Sequence, residues 1–163
     1  MNVIRETALE FIARKDSVDV AKAMFDACYE GRYEEEQIYT ALKNLADFNC
    51  KAIVIEGEDR KIQAAVLFFL APDAFLIELV AHEHFLCVLP QWRHKRSHFK
   101  ILLEALIGWS HEMGLRKLFV SSINQTPRQR QLYYKMLQRR GFREHATVYE
   151  IDLQHQSPNP EQN

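Results

Sequence analysis

The side chains best suited to chemistry are concentrated in residues 91–98, Gln-Trp-Arg-His-Lys-Arg-Ser-His. An apolar strand pattern ends at Pro90, before this basic turn, and an apolar pattern of helical period begins after it. The first turn of a helix leaves backbone N–H groups unpaired and carries partial positive charge, which favours a bound anion. A basic turn that leads into a helix is therefore typical of a phosphate-binding site. A solvated basic surface without a ligand is the simpler alternative.

A second group of candidate residues is the triplet His82, Glu83 and His84, which lies shortly before this turn. Carboxylate and imidazole groups can both accept a proton from an amine near neutral pH. Successive residues of a strand face opposite sides of a sheet, so Glu83 should face away from the two histidines. Only one of these two sets can face a given cleft, and the sequence leaves both choices open. It offers the two histidines no third ligand for a metal ion.

The elements that position these residues follow from changes in hydrophobic period. Helical spacing predicts four helices, which run from Asp16 or Ser17 to Gly31, over about 34–49, from Ser97 to Gly114, and from Thr126 to about Arg140. Strand patterns predict strands at 52–56, 61–71, 75–88, 117–121 and 147–153, of which the third is interrupted by the polar triplet. A strand, a long helix and a strand in this order predict a right-handed parallel crossover within a mixed sheet.

Charge is distributed unevenly along the chain, although the formal net charge is −1. Residues 1–90 contain 9 Lys and Arg against 16 Asp and Glu, whereas residues 91–144 contain 12 against 3. The excess of positive charge indicates an anionic ligand for the second half, and both a phosphorylated cofactor and nucleic acid fit. Nucleic acid is less favoured, because few aromatic residues alternate with the basic ones.

The length of 163 residues predicts one domain with its own core. The polar residues 154–163 predict a disordered tail. No apolar run is long enough for a transmembrane helix, and the first residues lack the pattern of a secretory signal. Cys28, Cys50 and Cys87 lack metal-ligand spacing, so reduced thiols in a cytoplasmic protein are predicted.

The basic turn resembles the coenzyme-A loop of the GNAT N-acetyltransferases, whose pattern is V-x-P-x-[YWH]-[RQ]-x-x-G-x-[GA]. The positions that match it in register are Val88, Pro90, Trp92 and Arg93. The two glycine positions of the pattern are occupied by Arg96 and His98. The Met113-Gly114-Leu115 helix end, the Gly141-Phe142 pair and the order of elements from Lys51 to Leu153 are also similar to the family.

The resemblance implies an α/β fold with a mixed, mostly antiparallel sheet, one splayed parallel strand pair and flanking helices, in a single domain over residues 1–153. It also implies acetyl-CoA or another acyl-CoA as the cofactor. The cofactor-binding positions would be Cys87, Val88, Arg93, His94, Lys95, Arg96, Ser97, His98 and Asn124. If Arg96 and His98 have negative φ, the backbone amides can still point at the pyrophosphate; a loop that needs positive φ would lose the cofactor.

For the chemistry, the resemblance implies direct attack of a primary amine, on a small molecule or a protein lysine, on the acyl thioester. Glu83 would be the general base, because the family often has a glutamate there; a histidine, His84 or His82, would also be competent near neutral pH. Many members of the family have a tyrosine that acts as general acid four residues before the Gly-Phe pair. Leu137 occupies that position here, and Tyr133, one helical turn earlier, is the candidate acid. The alternative is a catalytically inactive GNAT-like domain that binds a protein or nucleic acid. GNAT-like domains often form homodimers, so a homodimer is a further expectation.

Overall fold

The structure, a computed structural model, describes residues 1–29, 31, 33–47, 49–72, 79–95, 97–120 and 127–143. Of residues 27–29, 84, 127–130 and 132 it describes the backbone alone. Arg96, Asn124, the predicted strand 147–153 and the predicted tail 154–163 lie outside the described residues. The chain divides into two compact units, Met1–Asn124 and Gln125–Asn163.

A five-stranded sheet forms the centre of the first unit, with its strands side by side in chain order. The strands are β1 (Asn2–Thr7), β2 (Cys50–Glu56), β3 (Ile62–Pro72), β4 (Leu79–Val88) and β5 (Leu118–Phe119). The first four are antiparallel to their neighbours, and β5 is parallel to β4. This confirms the predicted mixed, mostly antiparallel sheet with one parallel pair.

Helices cover both faces of this sheet. Three of them, α1 (Ala8–Ile12), α2 (Ser17–Tyr29) and α3 (Glu35–Asp47), pack on one face, and α4 (Ser97–Glu112) packs on the other. The second unit contains α5 (Pro127–Gln138). These elements confirm the four predicted helices, and Gly114 and Gly141 follow α4 and α5 with φ of 70° and 83°, which suits glycine.

Two core clusters fill the spaces between the sheet and its helices. On the first face, Ala52 and Val54 of β2 belong to a cluster with Phe11 of α1 and Val20 of α2. On the second face, Ile53 of β2 and Phe68 of β3 pack with Leu102 and Leu106 of α4. Because β2 and β3 are buried on both faces, their sequences are almost continuously apolar.

The prediction that the polar triplet interrupts its strand is wrong. β4 runs unbroken from Leu79 to Val88 through the triplet, and the irregularity is a bulge. Leu67 pairs with Phe85 and Phe68 pairs with Glu83, so His84 is an extra residue in the ladder. The ladder continues past it because both flanking segments keep their partners on β3.

Candidate functional site

The basic turn leaves the end of β4 and winds tightly before α4 begins. Residues Pro90–Trp92 form one turn of 3-10 helix. The Trp92 N–H donates to the Leu89 carbonyl at 2.8 Å, and the Lys95 N–H donates to the Trp92 carbonyl at 2.9 Å. The Arg93 and His98 amides likewise donate within the turn. A phosphate here would therefore depend on the basic side chains and on the remaining amides at the start of α4.

The charged side chains of the turn lie at the surface. Arg93, His94, Lys95 and Ser97 are all exposed. The Arg93 Nε donates to the Val88 carbonyl at 3.3 Å, which uses one of the five N–H donors of a guanidinium. The Lys95 Nζ lies 4.4 Å from the centroid of the Trp92 ring, a cation–π contact. These contacts order two positive charges beside the helix start.

His98, at the second glycine position of the family pattern, has its side chain beneath the turn. The residue is 1% exposed, and its Nε2 lies 2.8 Å from the Oε1 of Gln63. An amide oxygen accepts, so Nε2 is the donor and Nδ1 is unprotonated in the neutral ring. His98 is in α4, and among the described residues Arg60 is the one non-glycine residue with positive φ. The conformation at residue 98 is therefore compatible with a side chain.

Protonation of His98 is expected to couple stability to pH. Burial, followed by repulsion from Lys95 and His94, holds the pKa of His98 below its ordinary value of 6.5. The unfolded chain then binds more protons than the folded chain between the lowered pKa and 6.5. We expect the free energy of unfolding to decrease as the pH falls through 6.5, and to decrease less in His98→Gln. Urea denaturation of both proteins between about pH 8 and about pH 5 measures this; identical pH dependence would contradict it.

Cys87 and Val88, at the end of β4, are part of the packing. Cys87 is buried in the cluster on the face of α1, α2 and α3, and Val88 packs on the α4 face. Burial raises the pKa of the Cys87 thiol to about 11, against an opposing effect of Arg93. The thiol is therefore uncharged at neutral pH and is a poor nucleophile.

The structure separates His82 and Glu83 onto opposite faces of the sheet. Phe68, which pairs with Glu83, belongs to the α4 face, so Glu83 faces α4 and the next residue of β3, Phe69, faces α1, α2 and α3. His82 pairs with Phe69, and their rings stack with centroids 5.2 Å apart. The Phe119 ring stacks on His82 at 4.8 Å. An imidazole between two aromatic rings thus lies on the face of the three amino-terminal helices.

The bulge at His84 changes which residues share a face. After it, Phe85 and Cys87 face α1, α2 and α3, whereas Leu86 faces α4 with Glu83. Simple alternation from the sequence would give the reverse. The side chain of His84 is not among those described. Bulges re-aim side chains and are common next to active sites, so the triplet keeps its place in the candidate site.

Two further predicted site residues belong to the second unit or lie outside the described residues. Tyr133 and Leu137 are both buried on α5, one helical turn apart on the same face, as predicted. Asn124 is outside the described residues. Sequence reasoning missed Gln63, the buried partner of His98, although a lone amide between Ile62 and Ala64 in an apolar strand was a signal.

In the part of the chain that the structure describes, no group of three His, Cys, Asp or Glu residues is arranged to hold a metal ion. Across the same residues, no helix combines the length and apolar character needed to cross a membrane.

Solved acetyltransferase structures share this fold at low sequence identity. An aminoglycoside acetyltransferase from an uncultured soil metagenomic sample, in complex with sisomicin, has a TM-score of 0.68 at 17% identity over 93% of this chain and 95% of that chain. A ribosomal-protein-alanine N-acetyltransferase from Brucella melitensis has a TM-score of 0.66 at 14% identity, covering 94% and 100%. An acetyltransferase from Trypanosoma brucei has a TM-score of 0.65 at 16% identity, covering 93% and 100%. No family model and no curated protein matches the sequence.

These likenesses confirm the predicted fold class, a mixed α/β fold of the GNAT acetyltransferase type. At such low identity they establish the fold, and one fold can carry different functions. Function therefore has to be argued from the basic turn, the triplet and their geometry.

Proposed function

We propose that this protein transfers an acyl group from acyl-CoA to a primary amine. The observation that carries the proposal is the position of the basic turn at the carboxyl end of β4, a strand of the parallel pair. In the described residues β4 pairs with β5 through Ala81–Leu118 and His82–Phe119, whereas β4 continues to Val88 and leads directly into the turn. A thioester between the strands and its phosphates at the start of α4 would follow one continuous path.

The residues of the turn fit a diphosphate. Arg93 and Lys95 supply charge-assisted donors, the exposed Ser97 supplies a hydroxyl, and the start of α4 supplies further amides and partial positive charge. His94 lies in the same exposed stretch, and Cys87 and Val88 shape the strand end. Bound acyl-CoA supplies an activated thioester, and the task of these residues is to hold it in place.

The proton of the amine would be accepted from within the triplet. We place the entry of the amine on the face of α1, α2 and α3, where the His82 imidazole lies between Phe69 and Phe119. A neutral imidazole can accept this proton directly or through a water molecule. Glu83, which the resemblance implies as the base and which faces α4, stays a competing candidate, and so does His84. Tyr133 stays the candidate acid toward the leaving thiolate.

The acceptor is proposed as an amine without a narrower class. One structural neighbour is an aminoglycoside acetyltransferase with bound sisomicin, and another is a ribosomal-protein-alanine N-acetyltransferase. One of these proteins is named for an aminoglycoside and the other for a ribosomal-protein alanine, so they support an amine acceptor and leave its size open. An amine screen should therefore include aminoglycosides, polyamines and lysine peptides.

Titration calorimetry with acetyl-CoA tests the cofactor site. Arg93→Ala is expected to raise Kd about tenfold or more, because a charge-assisted hydrogen bond contributes about 1.5–3 kcal/mol. Arg93→Lys is the matched control, which keeps the charge and loses the Nε contact to Val88, and its Kd should lie between the two. Absence of heat from the wild-type protein at millimolar ligand would refute the proposal.

The second candidate is a binding domain without turnover, and the uneven charge favours it. Residues 91–144 carry 12 Lys and Arg against 3 Asp and Glu. If acetyl-CoA gives no heat, binding of single- and double-stranded oligonucleotides should be measured at several salt concentrations. An affinity that falls steeply with salt would support nucleic acid as the ligand.

A further inference from the structure

We propose that Gln63 is a positioning residue that holds the basic turn at both ends, through hydrogen bonds to Leu89 and His98 that are called the clamp below. In this way the buried His98 can occupy a glycine position of the family pattern while the turn keeps its path. This inference rests on the proposed function, because it assigns the clamp to a cofactor-binding turn. Gln63 has no counterpart in that pattern, and it lies on β3, outside the turn.

The two bonds of the clamp come from one residue. The Gln63 backbone carbonyl accepts from the N–H of Leu89, the residue just before the 3-10 turn Pro90–Trp92, at 3.0 Å. The Gln63 side-chain Oε1 accepts from Nε2 of His98, in the first turn of α4, at 2.8 Å. The path of the turn between these residues is therefore fixed at both ends by a single position of the sheet.

A bulge directs Gln63 toward α4. Ile55 pairs with Ala64 and Glu56 pairs with Ile62, so Gln63 is the extra residue on β3. Without the bulge, alternation along β3 would place Gln63 on the opposite face from Ala64, which faces α4. The bulged residue is 5% exposed, and a buried amide needs partners, which the His98 ring supplies.

Gly57, in the β2–β3 turn, lies close to the Gln63 side-chain amide. A Cβ added at Gly57 would lie 2.4 Å from Nε2 of Gln63 and 2.8 Å from Oδ1 of Asp59. Side chains do not tolerate such distances, so any larger residue at position 57 would displace the Gln63 amide.

The clamp reaches the charged surface through stacked rings. The His98 ring lies under the Trp92 ring, with centroids 6.5 Å apart and planes 17° apart. Trp92 in turn carries Lys95 over its face. A shift of the imidazole therefore moves the tryptophan and, with it, a positive charge proposed to bind phosphate. Because the imidazole points inward, the His98 side chain does not occupy the outer surface of the turn.

The test compares Gln63→Leu and Gln63→Glu with Leu42→Ala, a core control on α3, which packs against α1, α2 and β2. Coenzyme-A affinity is measured by calorimetry at a temperature where every variant is folded by circular dichroism. Gln63→Leu should raise Kd about tenfold, because it releases the His98 ring and, through the Trp92 ring, the position of the Lys95 charge before the ligand binds. Gln63→Glu keeps an acceptor, so it should bind within about threefold of wild type and raise the His98 imidazole pKa in NMR titration. Leu42→Ala should change Kd by less than about twofold.

A second readout needs no ligand. Under native conditions, trypsin should cleave after Arg93 and Lys95 faster in Gln63→Leu than in Leu42→Ala. Gly57→Ala, whose Cβ would displace the same amide, should also increase the rate of cleavage. Equal cleavage rates would refute the clamp whether or not coenzyme A binds. Wild-type protein that fails to bind coenzyme A, combined with faster cleavage in Gln63→Leu, would uphold the clamp and refute the proposed function.

Discussion

Replacement of Arg14 by methionine is expected to lower the free energy of unfolding by about 3–5 kcal/mol. Arg14 lies between α1 and α2, and its Nη1 donates to Oε1 of Glu6 at 2.8 Å and lies 2.8 Å from Oε1 of Glu56. Its Nε donates to Asp16 at 3.3 Å, and its Nη2 donates to the Arg60 carbonyl at 2.9 Å. One guanidinium therefore joins three carboxylates from different parts of the chain.

The size of this effect follows from burial. The side chains of Arg14, Glu6 and Glu56 are 16%, 9% and 10% exposed, so water cannot screen the carboxylates that remain after the substitution. Removing one partner of a buried ion pair leaves an uncompensated charge, which costs far more than the loss of an exposed pair. Part of the loss should be recovered when Glu6→Gln is added, because a neutral amide replaces one stranded carboxylate.

Arg5→Met is the matched control for Arg14→Met. Arg5 pairs with Glu112, but their side chains are 40% and 58% exposed. The loss should not exceed about 1 kcal/mol, even with the contact of Arg5 to the Trp109 ring. Urea denaturation at neutral pH measures both variants. Equal losses for the two arginines would contradict the argument from burial.

His82→Gln is expected to lower kcat/KM for acetyl transfer about 100-fold or more, in line with the contribution of a positioned general base. Glu83→Gln should lower it less than about tenfold, because Glu83 faces α4 while the amine is proposed to enter on the other face. The assay follows release of the coenzyme-A thiol with the amines of the screen. Thermal midpoints of both variants establish that the fold is retained.

The pH profile distinguishes a catalytic role of His82 from a packing role. As the pH rises, more of the acceptor amine is already unprotonated. The loss of kcat/KM in His82→Gln relative to wild type should therefore become smaller between about pH 7 and about pH 9.5. A packing defect between Phe69 and Phe119 would lower the rate without this dependence. A larger loss in Glu83→Gln than in His82→Gln would instead assign the base to Glu83.

The long elements could be predicted because apolar residues recur at helical spacing in the helices and run almost without interruption in β2 and β3. α2, α3, α4 and α5, and the strands β2 and β3, follow from the spacing of apolar residues, which reflects burial on one or both faces. β1 escaped prediction because it is a mostly exposed edge strand, and α1 because five residues make little more than one helical turn. The capping box of Thr7 and Glu10 was a readable signal for the start of α1.

The location of the candidate site was also decided by local sequence. A proline, a dense basic turn and the start of an apolar helix are consecutive, and their order alone indicates an anion site. The order of strand, helix and strand around them determined the parallel crossover, since few topologies can accommodate it.

The tertiary structure alone decided how the site residues are oriented. The bulges at Gln63 and His84 are properties of two paired strands, so they cannot be read from either strand, and they determine which side chains share a face. Gln63 and His98 are 35 positions apart, and their hydrogen bond exists only because the sheet brings β3 beneath α4. The sequence by itself therefore determined which residues form the turn and the triplet, because those depend on local spacing. Only the packed sheet decided which way they face, because that depends on pairing between distant segments.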